Sequence, residues 1–218
     1  MATHLTNEDV RAVLTYEALI PAMARALADY SSGKAVQPVR TTIPVVEHGG
    51  FLFVMPALAA ASGALGAKLV SYFPNNRGIE THFATIQLFR PATGEPLASM
   101  DATLITEMRT AAVSAVATNL LARKDAAVLA ILGAGVQARS HLAALRLVRT
   151  FREVRVWSPN TAGAFARAHG VVASPNAEAC VRGADVIVVA TTSASPVLRG
   201  AWVSDGAYVN SVGAALPR

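Results

Sequence analysis

One cysteine, Cys180, stands in 218 residues. A single thiol closes no intrachain disulfide, so a stapled secreted scaffold is excluded and a reducing compartment fits. Cys180 itself is expected to be a small buried hydrophobe. Charge is also sparse, with 15% of residues charged against 53% hydrophobic, a balance that favours a compact fold over a disordered chain. Lysine and arginine number 19 against 14 acids, for a net charge of +5. The arginines are scattered, however, and form neither run nor stripe, so no nucleic-acid partner is expected. The histidines His4, His48, His82, His141 and His169 have no metal-ligand spacing with Cys180 or the carboxylates, and no metal is expected. A G-x-S-x-G elbow and a Walker loop are both missing.

The N-terminus, MATHLTNEDVRAVL, has acidic residues where an export signal needs a basic start and an apolar core. No targeting peptide is expected, and the cytoplasm is the expected location. Residues 49–67 are uncharged and approach the ~20 residues that span a bilayer. Pro56, three consecutive alanines, Gly63 and Gly66 instead make that stretch a strand, a turn and a small-residue segment, with no membrane partner.

What is present falls into two textures. Residues 7–33 space their apolar side chains as a helix, with Thr6 or Asn7 as cap and Gly33 as stop. VRTTIPVV, GFLFVMPAL, AKLVSYF and FATIQLF follow as short β-branched and aromatic runs divided by Gly, Pro and Asn, which predicts a largely antiparallel or mixed sheet with a turn at Thr93-Gly94. A long alanine-rich helix, 104–123, leads to the second half. There AVLAIL, EVRVW, VVAS, DVIVVATT and AYVNSVG are separated by the helical segments 136–149, 161–170 and 176–183, the pattern of βαβ units around a parallel sheet.

The stretch VLAILGAGVQARSH runs a strand into Gly133-Ala134-Gly135-Val136-Gln137-Ala138, a match to G-x-G-x-x-G/A. Glycine pairs are common, but this one follows an apolar strand and opens a helix, as a dinucleotide site requires. Gly133 would permit the tight turn, Gly135 the approach of a pyrophosphate to bare backbone, and Ala138 close packing of helix on sheet. The candidate cofactor contacts are Gly133, Ala134, Gly135, Val136, Gln137 and, after a later strand, Thr191. The second strand ends in VRVWSPNTAG, without the acid that would hold a ribose 2′-hydroxyl. Ser158, Asn160 and Thr161 can bond a hydroxyl or a 2′-phosphate, so the cofactor is NAD or NADP, with NADP slightly favoured.

A nicotinamide in the second half implies a substrate held by the first. Three cations are candidates: Arg40 in QPVRTTIP, Lys68 in GAKLVSY and Arg109 in EMRTAAVSA. A guanidinium suits bidentate carboxylate binding, and a lysine is a compact charge that can also donate a proton. By pattern alone, each reads first as a solvated or salt-bridged side chain. Asp101 and Glu107 flank the long helix, where they could pair with Arg109 or its neighbours or cap the helix. His82, on an expected strand, reads as structural.

QPVRT, FLFVMPAL, AKLVSYF, MDATLITEMRTAAVSAVAT, ILGAGVQARSH, VRVWSPN, GADVIVVATTSASPVL and GAYVNSVGA together resemble the ornithine cyclodeaminase and mu-crystallin family over nearly the whole chain. The resemblance implies an α/β fold: an α+β substrate-binding and dimerisation domain over 1–122 and a Rossmann-type, parallel-sheet dinucleotide domain over 123–218. It implies a homodimer acting on a small imino or amino acid, with Arg40, Lys68 and Arg109 at the substrate carboxylate and Lys68 and Arg109 catalytic. Cyclodeaminase members carry an aspartate in the segment matching NSVGAALPR, where this sequence has Ala215, which moves no proton. Family members also continue past the position of Arg218, so the dinucleotide domain is expected to be incomplete at its C-terminus.

The resulting expectation is an NAD(P)-dependent reductase of cyclic ketimine carboxylates, of the pyrroline-2-carboxylate or piperideine-2-carboxylate type. Two alternatives stand beside it. One is an ornithine cyclodeaminase, making proline and ammonia, or an amino-acid dehydrogenase; the other is a truncated, non-catalytic dinucleotide-binding protein.

Overall fold

The computed structural model describes residues 2–213. Its chain packs as two units, Met1–Thr106 and Glu107–Arg218, with the division inside the long helix. No helix among the described residues is long and apolar enough to cross a membrane.

The first unit opens with strand β1 (Thr3–Leu5) and helices α1 (Asn7–Val13) and α2 (Tyr16–Ser31). One continuous helix was the expectation here, and two are found because two threonines cap. Thr6 forms a capping box with Asp9, and Thr15 accepts from the Ala18 N–H at 3.3 Å. Strands β2 (Ala35–Val36), β3 (Thr41–Val45), β4 (Gly50–Ala59), β5 (Ala64–Tyr72), β6 (His82–Phe89) and β7 (Pro96–Asp101) follow. The sheet order is β1-β7-β6-β5-β4-β2, with β3 also on β4. Only the β1–β7 pairing is parallel, so the sheet is mixed.

Because directly opposed residues share a face, the register sorts the side chains. Phe53 lies opposite Val70, and Val70 opposite Ala84; these residues pack with Ala102, Ile86 and Ile105 as the core of the unit. On the other face, Ile43, Leu52, Ser71 and Phe83 form a row across four strands. That face is unusually apolar for a surface: Ile43 and Phe83 are each 47% exposed and Leu69 is 44% exposed.

Helix α3 (Thr103–Leu121) begins where the Asp101 carboxylate accepts the Thr103 N–H at 2.8 Å. Strand β8 (Val128–Leu132), helix α4 (Val136–Arg146), β9 (Glu153–Trp157), α5 (Ala162–His169), β10 (Val172–Ala173), α6 (Ala177–Val181), β11 (Val186–Val189) and β12 (Tyr208–Ser211) complete the second unit. All five strands are parallel, in the order β10-β9-β8-β11-β12. This is the doubly wound arrangement, in which the chain reverses direction between β8 and β11 and leaves a crevice beyond the strand ends. β8 is buried along its whole length, which is why VLAIL is a continuous apolar run rather than an alternating one.

Two charged groups fasten the far end of this sheet. Arg149 donates to the carbonyls of Thr118, Asn119 and Ala122, satisfying the C-terminal turn of α3. Asp185 accepts the N–H groups of Ala127 and Val128, both at 2.9 Å, and pairs with Arg123. Partial burial pushes the Asp185 carboxyl up, but the two N–H donors and the charges of Arg123 and Arg152 outweigh it, so the group titrates below the ordinary carboxylate range. A carboxyl that titrates lower folded than unfolded stabilises fully above pH ~4 and loses that contribution as the pH falls through its folded value. Asp185→Asn should therefore destabilise the chain by about 2 kcal/mol at neutral pH, with the gap from wild type closing in acid. Denaturant unfolding of both forms at several pH values checks this.

Candidate functional site

At the end of β8 the backbone turns at Gly133 with φ +117°, a conformation that suits glycine. A Cβ there would strike the carbonyl oxygen of Ala190, in the loop after β11. The Gly133 N–H in turn donates to the Trp157 carbonyl at 2.8 Å, and the Ala190 N–H to the Leu132 carbonyl at 2.8 Å. Three strand ends thus meet with no room for a side chain at the glycine. Gly135 differs: its φ is an ordinary −95°, and a Cβ built on it meets nothing within 4 Å. Gly135 is also the N-cap of α4, and no side chain caps that helix. The first N–H groups of α4 and the open space at Gly135 suit a diphosphate, which needs close approach to bare backbone. Ala138 is fully buried and lets α4 lie against the sheet, while the Gln137 Oε1 is buried without a hydrogen-bond partner. Ala134 is half-buried and Val136 exposed.

Beyond β9, the Ser158 and Thr161 hydroxyls are bonded at 2.9 Å and Asn160 is exposed. Thr191 follows β11, where its hydroxyl accepts the Ser193 N–H at 3.2 Å.

The substrate candidates divide between the units. Arg40 lies one residue before β3 rather than on a strand; it is exposed and sets its guanidinium 4.7 Å from the Phe53 ring centre. Lys68, half-buried on β5, lies opposite Met55 and Ile86. Since Phe53 and Met55 share a face of β4, Arg40 and Lys68 come to the same face of the first sheet. Arg109 is on α3 in the second unit, half-buried, with its Nε buried and unpartnered. Burial pushes its guanidinium below the usual arginine range, yet the group stays a cation. Neither flanking acid pairs with it: Asp101 caps α3, and Glu107 binds Arg139 at 2.9 Å. His82 begins β6 and is half-buried, and Ala215 lies outside the described residues. No group of acids, histidines and cysteine fit to hold a metal occurs among the described residues.

Sequence reasoning missed the bonds that join α3 to α4. Besides the Glu107–Arg139 pair, the Ser140 hydroxyl donates to the Glu107 carbonyl at 3.2 Å. His141 is fully buried, its Nδ1 2.7 Å from the Gln137 carbonyl and its Nε2 3.0 Å from the Ser114 hydroxyl. A carbonyl only accepts, so Nδ1 carries the proton and Nε2 accepts from Ser114. Burial pushes the imidazole pKa down, against the weaker upward pull of the Gln137 bond, and favours the neutral ring. The helix that bears Arg109 is thereby fixed to the helix that opens at the glycines. Four-residue spacing puts Gln137 and His141 on one helical face, but nothing in the sequence names Ser114 as the partner.

The two glycines should respond oppositely to substitution. Gly133→Ala should cost more than ~1 kcal/mol of stability, because the left-handed backbone and the Ala190 carbonyl both oppose a Cβ. Gly135→Val should melt close to wild type and lose NADH and NADPH binding. Thermal melts alongside fluorescence titration separate the two outcomes.

The model of the ornithine cyclodeaminase/mu-crystallin family matches residues 2–218. Ketimine reductase mu-crystallin of Mus musculus is 46% identical over 209 residues, which cover 91% of this chain and 66% of that protein. The Thermococcus litoralis Delta(1)-pyrroline-2-carboxylate reductase, solved with NADH and L-proline, is 38% identical with a TM-score of 0.91, covering 96% of this chain and 68% of that one. An archaeal alanine dehydrogenase dimer with bound NAD is 35% identical, also with a TM-score of 0.91, covering 97% of this chain and 67% of that one. The chain therefore spans about two thirds of the length of these relatives. With the doubly wound sheet, the glycine turn and this match in hand, the chain belongs to the ornithine cyclodeaminase/mu-crystallin family.

Proposed function

We propose that the chain reduces cyclic ketimine carboxylates, of the pyrroline-2-carboxylate or piperideine-2-carboxylate type, with a nicotinamide dinucleotide. The observation that carries this reading is Arg109, a half-buried cation with an orphaned Nε and no ion pair among the described residues. A desolvated charge without a counter-ion is costly, and an anionic ligand offsets that cost. The uncapped helix start at Gly135 supports the cofactor half of the reading. The names of the mouse relative, a ketimine reductase, and of the Thermococcus litoralis reductase, solved with NADH and L-proline, support the substrate class.

A bound NADH or NADPH supplies a hydride to the ring carbon of the C=N bond. The remaining work falls to this chain. Arg40 and Arg109 hold the carboxylate by paired N–H donors, which fixes the adjoining C=N bond in place. Lys68 gives a proton to the ring nitrogen as the carbon is reduced, so that the imine becomes a cyclic secondary amine carboxylate. The backbone at Gly133, Ala134, Gly135, Val136 and Gln137, together with Thr191, binds the dinucleotide. Ser158, Asn160 and Thr161 take its ribose end, where the missing carboxylate places NADP slightly ahead of NAD. The working form is a homodimer, a reading supported by the exposed apolar face that carries Ile43, Leu69 and Phe83.

The reverse direction, amino-acid oxidation, is the second reading, and the 35% identity to the archaeal alanine dehydrogenase favours it. Loss of nicotinamide absorbance on adding pyrroline-2-carboxylate decides between the two. The proposal expects rapid consumption with the ketimine and slow cofactor reduction with alanine or ornithine, and the opposite ranking contradicts it. Arg109→Ala should lower kcat about a hundredfold, with dinucleotide affinity nearly unchanged. Equal loss of both would contradict the division of roles.

A further inference from the structure

Arg40 is held on the first sheet by an aromatic ring and by nothing ionic. It is exposed and has no hydrogen bond or ion pair among the described residues, yet its guanidinium carbon lies 4.7 Å from the centre of the Phe53 ring. That is inside the ~6 Å within which the negative face of a ring attracts a cation. The chain enters β3 immediately after Arg40, and Thr42 pairs with Phe53 on β4, which brings the arginine to that ring.

The ring is itself fixed. Phe51, on the same face of β4, stacks with it at 6.0 Å between centroids and 14° between planes. Phe53 also packs on the buried Val70, Ala84 and Ala102. Arg40 is thus carried on a pair of rings, one of them anchored in the core of the unit.

An aromatic neighbour differs from an acidic one in what it leaves open. None of β3, β4, β5 and β6 carries an acidic residue. A carboxylate beside Arg40 would hold it more firmly, but would also neutralise its charge and occupy its N–H fork. A ring face attracts the guanidinium through its quadrupole and supplies no compensating charge. The cation is placed and still needs an anion. Lys68 stands on the same face, opposite Met55, which follows Phe53 on that side of β4.

We propose that Phe53 is a positioning residue, whose ring holds Arg40 in place for the carboxylate of the cyclic ketimine without neutralising it. The proposal rests on the reductase reading above and deepens it by adding a residue to the substrate half of the site.

Steady-state reduction of pyrroline-2-carboxylate with saturating NADPH, measured in a double-mutant cycle over positions 40 and 53, tests the proposal. Phe53→Leu keeps an apolar side chain for the core and removes the ring face. It should raise the KM for pyrroline-2-carboxylate about fivefold and leave kcat and NADPH affinity within about twofold. Phe53→Tyr keeps the face and should stay within about twofold of wild type in all three. In an Arg40→Met background, Phe53→Leu should raise KM by less than about twofold, because the cation it serves is gone. A purely structural ring would give the same loss in both backgrounds. That result, or an unchanged KM in Phe53→Leu, overturns the positioning role while the reductase reading stands. Should melting curves show the leucine variant unfolded, proton NMR of the wild type decides: the ring current should move the Arg40 Nε–H upfield of the other exposed arginines, and an ordinary shift overturns the proposal. No ketimine-dependent consumption of NADH or NADPH by wild type overturns both.

Discussion

The second unit is organised around one close approach, that of the Gly133 backbone to the Ala190 carbonyl between the ends of β8 and β11. A side chain at position 133 would force those strand ends apart, and the Gly133–Trp157 bond would lose its alignment with them. Because the three ends are held together, α4 starts at the C-terminal end of β8, the middle strand, and no side chain caps its first N–H groups. A capping side chain would satisfy those groups locally and add stability. Leaving them bare costs that stability and keeps a place for an anion.

Position 109 carries a similar cost in stability, since the Arg109 Nε is buried without a partner. Arg109 is held half-buried on a helix that is tied to its neighbours by three pairs: Glu107 with Arg139, Ser114 with His141, and Thr118 with Asn210 at 2.9 Å. Those bonds lock α3 against α4 and β12.

Much of this was legible in the sequence because periodicity and steric need leave direct traces. The run VLAIL, the pair Gly133 and Gly135, and the alternation of strands with helices in the second half each follow from a requirement of the parallel sheet. The unread parts depend on partners distant in sequence. β1 is three residues long, too short to show alternation, and exists because β7 offers an edge. The helix break at Thr15 hides behind continuous apolar spacing. Glu107 could face either Arg109 or Arg139, and only the packing of α3 on α4 decides.

The central claim is that a dinucleotide diphosphate binds the bare backbone at the start of α4. Amide NMR of the chain titrated with NADPH tests it most directly, residue by residue. The account predicts that the largest shifts fall on Gly135, Val136 and Gln137, with a second group at Ser158–Thr161. Shifts confined to residues of Met1–Thr106, or spread without a maximum at the glycine turn, would contradict it.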